Sequence, residues 1–86
     1  MIELGPKDQV SAQRALLQIE AVRAEAAYGR AVQNYISAAI ANANRPALWA
    51  AEARAALDIA AAACDAAMAR WTEIRSRLAR LPAARA

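Results

Sequence analysis

The 86-residue chain has no histidine and no phenylalanine, one cysteine, two glycines and three prolines. Each scarcity excludes something. Without histidine, the side chain that most readily moves protons near neutral pH is missing, and so is the commonest metal ligand. A lone Cys64 cannot close an intramolecular disulfide, so no disulfide framework holds the chain together. Gly-rich phosphate loops, dinucleotide fingerprints and nucleophile motifs built on Ser or Cys do not occur. The carboxylates are no better arranged for chemistry. Asp58 and Asp65 lie seven apart on one helical face, two turns or ~10 Å, too far to share a proton or a metal. They read as a solvated edge. The expectation is a protein with no catalytic residues, no cofactor and no metal.

Long apolar runs are also lacking. The most apolar stretch, Ala55 to Ala69, is interrupted by Asp58 and Asp65 and is alanine-rich rather than leucine-rich, so no membrane span is expected. The N-terminal Met-Ile-Glu-Leu-Gly-Pro-Lys-Asp is acidic where an export signal would be basic and apolar. A cytoplasmic location follows as the expectation.

What the chain does have is alanine, at 28 of its 86 positions. Hydrophobic residues make up 59% of the sequence, but more than half of them are alanine. A buried Leu or Ile contributes ~2 kcal/mol and a buried Ala much less, so a monomer's core is expected to be thin. Alanine is, however, the best helix former, and the interior is nearly free of Gly and Pro. An all-α fold is expected.

Two breaks organise the chain as a single domain, 1–86. Gly5-Pro6 precedes the first periodic segment, with Pro6 suited to a first helical turn and Asp8 able to cap or to complement the helix dipole. Asn42-Ala43-Asn44-Arg45-Pro46 is the other turn signal, with Asn44 or Arg45 near the N-cap of the next helix. The reading is a first helix over about 7–43, a turn at about 43–46 and a second helix over about 46–81, stopped by Pro82. Similar lengths and a short connection predict an antiparallel helical hairpin. Gly29, inside the first helix, could divide it and give three helices. Its neighbours Tyr28 and Arg30 supply no turn chemistry, so a continuous helix with a close approach at Gly29 is preferred. Folding about Asn44 sets residues whose numbers sum to ~90 side by side, so that Tyr28 faces Ala62 to Cys64.

The second helix carries two apolar stripes. One reads Trp49, Ala53, Leu57, Ala60, Cys64, Ala67, Trp71, Ile74, Leu78, Leu81, a sustained heptad a/d pattern. The other reads Leu48, Ala51, Ala55, Ile59, Ala62, Ala66, Ala69, almost opposite the first. The first helix is matched by Val10, Leu17, Ala21, Ala24, Tyr28, Ala31, Tyr35, Ala38, with a further row Ala15, Ile19, Val22, Ala26, Gly29, Ile36, Ile40. One stripe can be met by the chain's own partner helix, and the second needs more protein. Leu48, Ala51, Ala55, Ile59, Ala62 and Ala66 are therefore the expected self-association or partner-binding residues. The expected assembly is a homodimer of hairpins forming a four-helix bundle. Small inhibitors, adaptors and assembly factors of bacteria or phages fit this description, with another protein as partner.

Charge is uneven. Residues 70–86 hold Arg70, Arg75, Arg77, Arg80 and Arg85 against Glu73 alone, so the net +3 of the whole chain comes from this end. Arginines near a helix C-terminus complement its dipole, and Glu73 to Arg77 is a favourable i,i+4 pair. The functional alternative is a basic contact patch of Arg70, Trp71, Arg75, Arg77 and Arg80 for nucleic acid. Trp49 and Trp71 both fit the heptad, which predicts core packing, with Trp71 the better candidate for a partner anchor. A third class is a small helical enzyme with an arginine-lined anion site, drawing on Arg14, Arg23, Arg30, Arg45, Arg54 and Glu52. It is similar in architecture alone to the chorismate mutases, whose first-helix spacing and third helix this chain does not reproduce. Secreted WXG-type hairpins set Trp-x-Gly between their helices, whereas this chain has Trp49-Ala50-Ala51.

Overall fold

A computed structural model describes residues 5–82 of the chain, and the acidic N-terminal tetrapeptide and Arg85 lie outside them. Its elements are α1, Pro6–Ala43, a 3₁₀ turn, Ala47–Trp49, and α2, Ala50–Arg80. The described residues contain no strand. The two helices lie side by side in a slab of 64 × 26 × 13 Å, one helix thick. That is the antiparallel hairpin expected from the turn signals.

Prolines and alanine propensity set the ends, without help from side-chain caps. Gly5, extended at φ −69° and ψ 166°, is the N-cap of α1 and offers no side chain. Pro6 follows at the first helical position, where its missing N–H costs nothing, and Asp8 complements the dipole in the first turn. At the other end the Asn44 N–H donates to the Ile40 carbonyl at 3.1 Å. Pro46 then disfavours helical geometry at Arg45, which stops α1. Arg45 folds its guanidinium back to donate to the Asn42 carbonyl.

The second helix begins later than the sequence suggests. Pro46 is extended and opens the 3₁₀ turn, closed by the Trp49 N–H on the Pro46 carbonyl at 3.0 Å. Regular α-helix starts at Ala50 with Trp49 as its N-cap, so neither Asn44 nor Arg45 caps it. The cause is the connection, which spends one tight turn before the wider α-helix can form. α2 ends at Arg80, because Leu81 precedes Pro82 and is held extended at ψ 145°. Arg77 and Arg80 sit in its last turn, where cations complement the dipole.

This longer connection shifts the register of the hairpin. Tyr28 stacks on Trp71, with ring centroids 5.7 Å apart and planes inclined by 30°. It does not face Ala62 to Cys64, because the fold point lies in the 3₁₀ turn rather than at Asn44. By this register Ala24 is level with Ile74, and these two are the only buried hydrophobic residues among the described ones, at 4% and 3% exposure. Around them the facing rows are half-buried, with Val10, Leu17, Ala21, Ala31 and Ala38 on α1 and Ala53, Leu57, Ala60, Cys64, Ala67, Leu78 on α2. Ala24 opposite Ile74 sets a small side chain against a large one, while Tyr28 and Trp71 fill the gap as a stacked pair. Trp49 departs from its predicted row. It stands 54% exposed, because its backbone belongs to the 3₁₀ turn and not to the helix.

α1 is unbroken through Gly29, yet among the described residues nothing beyond its own turn of helix approaches it. A Cβ added at Gly29 would meet none of their atoms within 4 Å. The close approach expected there is absent within the hairpin, since Gly29 faces away from α2.

Asn42 sits on the packed side of α1 at its last turn, half-buried, and its Oδ1 is buried without a hydrogen-bond partner. An unpaired buried acceptor costs about 1–3 kcal/mol. Asn42→Leu removes the unpaired oxygen and continues the apolar row. It is expected to raise stability by about 1 kcal/mol, read as a higher urea midpoint at unchanged slope.

Candidate contact surfaces on two helix backs

Of the residues expected to bind a partner, Ala51, Ala55, Ile59, Ala62 and Ala66 share one open face of α2, while Leu48 belongs to the 3₁₀ turn before it. Leu48, Ala51, Ala55, Ile59, Ala62 and Ala66 are all exposed, Leu48 at 86% and Ile59 at 71%. From Ala55 the spacing is four, three, four, three through Ile59, Ala62, Ala66 and Ala69, so the row runs straight along α2. Apart from Leu48 and Ile59 it is lined by methyl groups. Asp58 flanks it and is held by Arg54 of the preceding turn at 3.3 Å.

A second row stands on α1 and carries the larger side chains. Ala15, Ile19, Val22, Ala26, Gly29, Gln33, Ile36 and Ile40 are all exposed and follow an a/d spacing. Val22 is 68% and Ile40 58% exposed. Shallow grooves follow this row. One is lined by Ala15, Gln18, Ile19, Val22 and Arg23, and another by Ala26, Gly29, Arg30, Gln33 and Asn34. Apart from Leu48 in the 3₁₀ turn, the candidate contact residues named from the sequence lie on α2. The heptad spacing of Ala15 to Ile40 was the signal for α1, but its phase relative to α2 awaited the register of the hairpin.

At 100° per residue, the centre of each exposed row stands about 150° round its helix from the packed row. The rows therefore run along the two outer edges of the slab and point in opposite directions. No flat partner can cover both at once.

The basic end is less of a surface than its composition implies. Arg70, Arg75, Arg77 and Arg80 are exposed, but Arg75 points away from the side that the other three share. Arg77 pairs with Glu73 at 3.2 Å, as expected for i,i+4, and Arg80 reaches the same carboxylate at 3.9 Å. Arg75 lies about 140° round the helix from Arg70 and covers the Trp71 ring at 5.1 Å from its centroid. Trp71 itself turns inward onto Tyr28 and is half-buried, which places it in the packed core rather than on an open patch.

The arginines that could have formed an anion site are spread along the slab. Arg14 donates to the Pro82 carbonyl at the open end, while Arg45 is engaged at the turn and Arg54 with Asp58. Arg23 and Arg30 flank the α1 row. They do not converge. Cys64 is a free, half-buried thiol on the packed side of α2. Among the described residues no group of carboxylates and thiols is placed to hold a metal ion, and no helix is long and apolar enough to cross a membrane. Comparison with protein-family models, curated proteins and solved structures finds no match for this chain.

Proposed function

We propose that the protein is a small, non-enzymatic interaction module, a homo-oligomer of hairpins that also binds another protein through its alanine-lined helix face. The observation that carries this is the pair of long, exposed, mainly apolar rows along opposite edges of a slab one helix thick. A lone hairpin exposes both to water, and contiguous apolar surface of that kind marks contact sites. Packing two hairpins back to back brings four helices together and covers one row on each. The other row stays open for a different protein.

Energetics favour association over isolation. Each large side chain removed from water contributes ~1.5–3 kcal/mol when fully buried, and a thin monomer core leaves much to gain. Alanine at contact positions lets helix axes come within ~8 Å, so the α2 face suits a tight, flat contact with another helix.

Sedimentation equilibrium tests this reading. The wild type is expected to exceed the mass of one chain at about 100 µM, a concentration at which even a weak dimer forms. A glutamate placed in the associating row is expected to return it to monomer with its helical circular dichroism intact. A monomeric wild type would overturn the proposal.

A further inference from the structure

We infer that the α1 row, not the α2 row, is the self-association face, and that its occupant is a second copy of this chain with its α1 running parallel and in register. The inference rests on the interaction-module reading above and adds to it which helix pairs and in which direction. Three observations carry it.

The apolar surface is unequal. α1 exposes Ile19, Val22, Ile36 and Ile40, whereas the α2 row offers Ile59 alone among alanines, with Leu48 in the turn before it. A parallel α1 pair stacks each of the four on its own counterpart, two layers at either end of the contact. Between them lie Ala26 and Gly29. A helical glycine facing open space gains nothing inside its own chain and permits a close backbone approach from outside. A second α1 is what can come that near.

Charge decides the direction. With Ile19 and Ile40 at a positions and Val22 and Ile36 at d, the flanking e positions hold Arg23 and Arg30 and the g position holds Glu25. Among the described residues none of these three makes an ion pair within the hairpin. In a parallel pair each g residue faces the e residue five positions on in the other chain. Glu25 then faces Arg30 of the second copy, twice by symmetry, and Gln18 faces Arg23. An antiparallel pair sets each flank against itself, arginine against arginine. The polar Gln33 falls at an a position, where in the parallel pair it meets its own counterpart and can hydrogen-bond to it. A single polar a residue of this kind specifies register at some cost in stability.

The contact is isologous and closes at two chains. The α2 rows are left at the two outer edges of a four-helix layer, available to another protein.

The test uses the full chain with Cys64→Ala as background. Gln33→Cys is expected to oxidise to a covalent dimer with no change in sedimenting mass, because a positions of a parallel pair lie within disulfide reach. Antiparallel pairing of Ile19 with Ile36 would hold the two thiols about 16 Å apart along the axis. Glu25→Arg is expected to weaken the dimer about tenfold, with Glu25→Arg/Arg30→Glu restoring it. Val22→Glu is expected to yield monomer, while Ala62→Glu and Ala66→Glu leave the dimer intact. Four results would overturn the inference. One is a cross-link that forms only between Val22→Cys and Gln33→Cys chains, which means antiparallel pairing. Another is mass that grows with concentration beyond two chains, which means head-to-tail contact of α1 on α2. The third is dissociation by Ala62→Glu but not by Val22→Glu, which moves the interface to α2 and leaves the interaction-module reading standing. A wild-type monomer is the fourth, and it removes both.

Discussion

Ile74→Ala is expected to cost about 3 kcal/mol, a typical loss for an isoleucine deleted from a packed core. Ile74 is 3% exposed and stands level with Ala24, the only other buried hydrophobic residue among the described ones. Directly across from it the α1 row is alanine, Ala21 and Ala24, so the helix opposite supplies little bulk to close over the cavity. With so thin a core the net stability belongs at the low end of the usual range, about 0.05 kcal/mol per residue or about 4 kcal/mol, so the loss takes most of it. Urea unfolding followed by circular dichroism at fixed protein concentration checks this. The expected signature is a collapsed midpoint with considerable helicity remaining, because alanine-rich segments of this length keep some helix without tertiary contacts. A midpoint within 0.5 M of wild type would show that the stability lies elsewhere.

Trp71→Ala is expected to be comparably severe, at about 3 kcal/mol. The ring lies between the helices at the level of Tyr28, stacks on it at 5.7 Å and carries the Arg75 guanidinium 5.1 Å from its centroid. The aromatic pair alone contributes about 0.5–1.5 kcal/mol beyond the area it buries. Trp71→Phe is therefore expected to keep most of the stability, and Tyr28→Ala with Trp71→Ala to cost less than the two singles added. Trp49→Ala is the matched control. That side chain is 54% exposed at the turn, and its loss is expected to cost under about 0.5 kcal/mol. Equal losses at the two tryptophans would contradict the packing described above.

Much of this molecule can be read in its residues. Helix content follows from alanine, the stops at Ala43 and Arg80 from Pro46 and Pro82, and the packed row of α2 from the heptad Ala53 to Leu81. The open row Leu48 to Ala69 is legible in the same way. Less legible is the start of α2. Pro46 can open either an α-helix or a 3₁₀ turn, and the turn it opens moves the helix start to Ala50. That shift carries Tyr28 away from Cys64 and onto Trp71, and it takes Trp49 out of the packed row. Arginine count misleads for a related reason. Five arginines in the last 17 residues suggest a patch, but helical winding separates Arg75 from Arg70, and Glu73 occupies Arg77 and Arg80.

Periodicity on each helix was thus a property of the chain alone, because the spacing of side chains round a helix depends on sequence and backbone geometry. Which row faces the partner helix, and which way the remaining row points, depended on how two helices settle against each other. Only the folded hairpin decided that the α1 and α2 rows are opposite edges of one slab, since the connection sets the register and packing sets the phase. The placement of Gly29, Glu25 and Arg30 on the outward side of α1 was decided there too.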